Sequence, residues 1–257
     1  MNGELLSPWF VGLAIVVALA AGITGAFALM KGITLAGDVI SHIALPGIGL
    51  ALLLQFQPLV GGAATLLLGT LLIARLEARS GLATETTIGV VFVASLALGA
   101  LLTPGKDLEE ALFGNFSAVS ITEFAAGFIA AALVIAVLWS KRHQLILHLF
   151  SPELAASLGV NGQRLNLLFL LLFSLTVLLE LTFLGALLAS ALIMIPPALA
   201  RRLTHRLVMF MAISAIASAC SMVGGIAFAA WRALPLGPAV VAVASLLFVC
   251  SLAVTER

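Results

Sequence analysis

An all-α, polytopic transmembrane bundle of about eight or nine spans is the fold class this sequence predicts, and three observations carry the prediction. Of 257 residues, 63% are hydrophobic and only 9% charged, where a soluble domain has about a quarter charged. The mean hydropathy is +1.26. The charges that exist fall in short connections between apolar runs long enough to cross a bilayer, each needing roughly 20 residues. No room is left for a soluble catalytic domain, so residues 1–257 read as a single membrane domain. The net charge of +1 gives no reason to expect a nucleic-acid partner.

Taken in order, apolar runs bounded by charge, Gly and Pro predict spans at 9–30, 37–54, 59–77, 85–102, 122–140, 163–181, 183–200, 207–230 and 237–254. The first has no basic flank of a cleaved leader before it and is expected to be retained. The connection at Leu181–Phe183 is so short that the sixth and seventh runs could form one broken helix, which would leave eight spans. With nine spans and the N-terminus outside, one side collects Lys31, Arg75, Arg79, Lys141, Arg142, Arg164, Arg201, Arg202, Arg206 and Arg257, and the other only Lys106 and Arg232. By the positive-inside rule the rich side is cytoplasmic, and the loop 141–164 lies there. Cys220 and Cys250 sit in apolar runs and read as small buried or lipid-facing hydrophobes.

Two connections are long. The outer one, 103–121, mixes acidic residues with Leu108, Leu112, Phe113 and Phe116 and reads as an amphipathic or re-entrant segment. The inner one encodes a short helix: Ser151 as N-cap, Pro152 at the first helical position, Glu153 at the positive end of the dipole, Leu154 and Ala155 in its body, and Gly159 as its stop.

Ionisable residues inside spans are functional candidates. Asp38 and His42, at the inner start of the second span, stand four apart and so share a helix face. Carboxylate plus imidazole suits zinc and also harder divalent ions such as manganese. Two ligands do not close a site, but a symmetric dimer meeting on this helix would supply four. The alternative is that Asp38 caps its helix and His42 pairs with it. Pro46 and Gly47 follow on the same helix, where a freed carbonyl and a close backbone approach would kink it or line a path, unless the proline merely faces lipid. Glu180 reads as a residue of the water interface or an ion-entrance carboxylate. Glu85 reads as a first-turn acid behind a Thr84 cap, and His143, His148 and His205 as solvated or docking residues. Paired small residues, such as Gly22 and Gly25 or Gly61 and Gly62, predict close helix packing. A phosphate loop, H-E-x-x-H and G-x-S-x-G are all absent, so the chain does not bind ATP by the usual loop, and a porter or channel remains.

Several segments together resemble the metal-cation permease family of ABC importers, the membrane subunits of high-affinity zinc and manganese uptake. Gly25-Ala26-Phe27 through Gly37-Asp38-Val39-Ile40-Ser41-His42-Ile43-Ala44-Leu45-Pro46-Gly47 resembles its G-D-x-x-S-H-x-x-L-P-G signature. Glu85-Thr86-Thr87-Ile88-Gly89, Leu96-Ala97-Leu98-Gly99, Leu112-Phe113-Gly114 and the stretch from Gly185 to Arg201 are similar to further family segments. Two departures are visible: Ser151 where the family usually has Asp, and Leu234-Pro235-Leu236-Gly237-Pro238, which keeps only part of a family turn.

The resemblance implies a homodimeric permease in the plasma (inner) membrane of a bacterial-type cell. It implies cytoplasmic ATP-binding subunits that dock on the 151–159 helix, an extracytoplasmic metal-binding protein, and a transported divalent metal, zinc ahead of manganese or iron. Asp38 and His42 match family positions of a metal site where two copies meet. A proton-coupled metal transporter using Asp38 and Glu180 is the competing expectation.

Overall fold

The computed structural model describes residues 8–102, 121–184 and 190–254. The outer connection with its Leu112-Phe113-Gly114 lies outside them, as does all of Gly185–Leu188. Every regular element among the described residues is helical: α1 (Pro8–Lys31), α2 (Ala36–Ser41), a 3₁₀ turn (His42–Ala44), α3 (Leu45–Leu53), α4 (Pro58–Ser80), α5 (Thr84–Leu102), α6 (Ile121–Phe150), α7 (Pro152–Ser157), α8 (Gly162–Leu184), α9 (Ala191–Leu203), α10 (Leu207–Arg232) and α11 (Leu236–Val254). Among the described residues eight helical stretches are long and apolar enough to cross a bilayer, α2 to α3 counting as one.

The run at 183–200, which the short connection at Leu181–Phe183 left open, is not one of these eight, and its residues 185–189 are not among those described. Helix α9 has 13 residues, about 20 Å at 1.5 Å per residue, against a hydrocarbon core of roughly 30 Å. It packs on α1, α10 and α11 and carries Pro196 and Pro197 in its interior.

Helix α1 is the axis of the bundle. Within its best spanning window 72% of residues are buried, against 22% for α5 and 17% for α6, so α5 and α6 are the spanning helices least covered by the rest of the described chain. Small residues let the others close on α1. A Cβ built on Gly22 would lie 2.6 Å from the Ala215 backbone, nearer than real Cβ atoms come, so α1 and α10 touch through their main chains. Hydroxyls satisfy each other inside: Thr24 pairs with Thr176 at 3.1 Å, Thr70 with Ser174 at 2.6 Å, and Ser214 donates to the Gly22 carbonyl at 2.6 Å. Both cysteines are free and exposed on the bundle surface.

Helix α7 forms where the local signals put it, with Pro152 at its start. Gly159, at φ +77°, closes it in a Schellman motif: its N–H bonds the Ala156 carbonyl, and the N–H of Val160 bonds that of Ala155. One detail differs. Ser151 holds the N-cap position but its hydroxyl makes no capping bond; pre-set proline geometry and the C-terminal motif define this helix instead. Ala155 is buried against the chain itself, while Glu153, Leu154 and Leu158 are exposed.

Candidate metal site on the broken second span

The second membrane crossing is interrupted, and the interruption follows from its sequence. Pro46 has no N–H, so the His42 carbonyl lacks its i+4 donor. It accepts the N–H of Leu45 instead, giving the 3₁₀ turn His42–Ala44 between α2 and α3. Gly32, at φ +76°, ends α1 in a second Schellman motif, with its N–H on the Leu29 carbonyl and that of Ile33 on the Ala28 carbonyl. The short helix carrying Asp38 is thus bounded by a glycine turn on one side and a proline-induced turn on the other.

This segment lies deeper than the start of a span. Gly37 abuts Phe173, halfway along α8, and Ile43 abuts Gly69, halfway along α4. Asp38 and His42 therefore sit near the middle of the bundle.

Burial along the segment alternates with helical period. Ile40, Ser41, Ile43, Ala44, Gly47 and Ile48 are buried, Asp38, His42 and Pro46 are half-exposed, and Leu50 is exposed. At a spacing of four these last residues form one stripe that the chain's own helices leave open. Gly47 points the other way: a Cβ there would run into Gly61, so it is a contact point between α3 and α4. The stripe carries the two ionisable side chains together with the proline.

Neither role in the simpler alternative is present. The α2 N-cap is Leu35, with no side-chain capping bond, and no ion pair or hydrogen bond joins Asp38 to His42 among the described residues. Ser41 donates to the Asp38 backbone carbonyl at 2.6 Å. The His42 ring packs against Phe92 of α5 with centroids 5.8 Å apart. Its Nδ1 is buried without a hydrogen-bond partner, an arrangement that costs about 1–3 kcal/mol unless something outside the described chain bonds it. Among the described residues no three His, Cys, Asp or Glu side chains cluster as a metal site. Among the described residues, Asp38 and His42 stand together on this segment without a third such side chain beside them.

The other candidates fall elsewhere. Glu180, expected at a water interface, is fully buried in α8 with both carboxylate oxygens unpartnered; its apolar neighbours in sequence hid this, because hydropathy does not separate protein from lipid surroundings. Thr84 does not cap its helix as expected. Its hydroxyl donates to Glu77 Oε1 at 2.7 Å. Glu77, Asn166 and Lys31 were not singled out by sequence, yet they are bonded side chain to side chain across three helices. Nothing in the spacing of residues 31, 77 and 166 signals that contact.

Comparison with known proteins agrees with this architecture. Residues 4–255 match the family described as the ABC 3 transport family. The manganese transport system membrane protein MntC of Halalkalibacterium halodurans is 32% identical over 240 residues, covering 91% of this chain and 82% of the relative. The high-affinity zinc uptake system membrane protein ZnuB of Haemophilus influenzae is 30% identical over 249 residues, covering 95% of both. Among solved structures, PsaBC from Streptococcus pneumoniae in complex with Fab superposes with a TM-score of 0.80 at 27% identity, over 98% of this chain and 95% of that one. With a family match over nearly its whole length and eight apolar helices to carry it through a bilayer, this multi-pass membrane protein belongs to the ABC 3 transport family.

Proposed function

We propose that the chain is the membrane permease subunit of an ATP-driven importer that moves a divalent transition-metal ion into the cell, zinc first and manganese or iron(II) next. The observation that carries this reading is the open stripe of Asp38, His42 and Pro46, with the orphaned His42 Nδ1 beside it. Facing lipid, the carboxylate of Asp38 alone would cost about 2.5–3.5 kcal/mol at the centre of a helix. A second copy packed on the same stripe removes that cost and brings two carboxylates and two imidazoles to one place. That is four ligands of the kind zinc takes tetrahedrally. The same donors accept manganese when water completes the shell, and relatives named for both metals fit either cargo.

In this reading the broken helix does the gating. The 3₁₀ turn and the Gly32 turn let the short α2 rotate against α3, changing the spacing of the four ligands without unfolding a span. The ATP-binding partners dock on α7, where Leu154 and Leu158 are exposed beside the equally exposed Phe150. Three large apolar side chains on and immediately beside a short helix, Phe150 at the end of α6, Leu154 within α7 and Leu158 just after it, form a surface suited to a protein partner. An extracytoplasmic binding protein would load the opposite face.

Leu154→Asp is expected to lower co-purification of the nucleotide-binding subunit at least 10-fold and to lower uptake with it, leaving the permease itself in the membrane. Pull-down from detergent extracts checks this; normal recovery of the partner would remove α7 as the dock.

The buried carboxylate of Glu180 favours a second reading, a proton-coupled metal transporter. Proteoliposomes separate the two. The importer takes up zinc-65 or manganese-54 only with its partner subunits and ATP, whereas the porter does so with a proton gradient alone.

A further inference from the structure

At the basic end of the bundle four polar side chains from four helices form one bonded chain. The Lys31 ammonium donates to Asn166 Oδ1, and the Asn166 amide donates to Glu77 Oε2 at 2.7 Å. Thr84 Oγ1 then donates to Glu77 Oε1 at 2.7 Å. The ammonium also stands 5.5 Å from the ring centroid of Phe169. Asn166 works in both directions, accepting from a cation and donating to an anion, so it is a bridge that neither Asp nor Ala can replace.

Two adjacent members of this chain, Asn166 and Lys31, lie next to the two parts that transport must connect. Asn166 lies one turn into α8, just after α7 and its Schellman turn. His148, near the end of α6, packs against Gly162 at the start of α8, so the helices on either side of α7 are in contact beside the bridge. Lys31 is the last residue of α1, and the Gly32 turn that follows leads directly into the helix of Asp38 and His42. Below the bridge is a cavity of about 630 Å³ lined by Lys31, Glu77, His148, Asn161, Gln163 and Asn166. The residues that flank α7, His148 before it and Asn161 after it, share this lining with the bridge, so a displacement of α7 would be felt there.

We propose that the Lys31–Asn166–Glu77–Thr84 chain transmits displacement of α7 to the glycine turn that positions the Asp38–His42 helix, making these four residues the coupling relay of the permease. The proposal rests on the importer reading above. It assigns positioning residues, none of which touches the ion. A linkage of this kind is established only by coupling measurements between its members.

The test is metal transported per ATP hydrolysed, measured in proteoliposomes holding the dimer with its nucleotide-binding subunits. Zinc bound by the same preparations and their melting temperatures are recorded alongside. Asn166→Ala, Lys31→Glu and Glu77→Lys are each expected to lower the ratio at least 10-fold while ATP hydrolysis stays within about 2-fold and zinc binding is unchanged. Lys31→Glu combined with Glu77→Lys should recover most of the ratio, because the amide of Asn166 can flip to serve the reversed charges. Thr84→Val keeps side-chain shape and folding and is expected to lower the ratio about 3-fold; Lys31→Arg should be close to the parent protein. A parent-like ratio in the single variants, or a ratio that follows melting temperature with no recovery in the double variant, overturns the relay and leaves the importer standing. Absence of ATP-driven uptake by the parent complex overturns both.

Discussion

His42→Ala is expected to lower metal uptake at least 100-fold while the chain still inserts, dimerises and recruits its ATP-binding partners. The imidazole is half-exposed on a face that the chain's own helices leave open, and its buried Nδ1 has no partner. Removing it therefore breaks no hydrogen bond of the fold. What goes is the nitrogen ligand, twice over in a symmetric dimer, and two carboxylates alone hold a borderline-soft ion weakly. Asp38→Asn is expected to behave alike, since the amide keeps the shape and loses the charge. The check is metal accumulation in cells lacking other high-affinity uptake, with membrane-fraction immunoblots to verify expression. Near-normal accumulation by His42→Ala at normal expression would contradict the site assignment.

Gly47→Val is expected to act on the fold itself. On α3 a Cβ at position 47 would run into the backbone of Gly61 on α4, and a Cβ at Gly61 would reach within 2.8 Å of the Ala51 side chain. The contact runs main chain to main chain, so no side chain can move aside, and the helices must separate along their length. The cost is expected at the upper end of the range for overpacking, about 3 kcal/mol, seen as a lower melting temperature and reduced yield of dimer in detergent. Gly89→Val is the control. Nothing lies within 4 Å of a Cβ at that position of α5, so it should melt close to the parent protein, and equal losses in the two variants would remove the packing explanation.

The spans were legible because a bilayer demands long apolar runs, and these show directly in composition. Helix α7 was legible for a different reason: Pro152, Glu153 and Gly159 each carry a local backbone preference that needs no tertiary information. The pairing of Asp38 with His42 on one face followed from helical spacing, and the interruption at the 3₁₀ turn from Pro46. What escaped was whatever depends on neighbours distant in sequence. The 183–200 run has the composition of a span, and its described part is the 13-residue α9 packed on α1, α10 and α11, a packing that composition does not reveal. Glu180 sits among leucines that read the same against lipid or protein. Which residues of the 151–159 helix face outward was not legible either: Ala155 is buried against the chain, and Leu154 and Leu158 are exposed. Thr84, a plausible cap by position, serves Glu77 because another helix ends beside it.

The proposed metal site, completed by Asp38 and His42 from two copies of the chain, is tested by the stoichiometry of metal bound to the purified permease. Equilibrium dialysis against zinc, with protein counted by amino-acid analysis and metal by mass spectrometry, is expected to give one high-affinity ion per two chains, lost in His42→Ala and in Asp38→Asn. One ion per single chain, or an unchanged ion in either variant, would contradict the shared site.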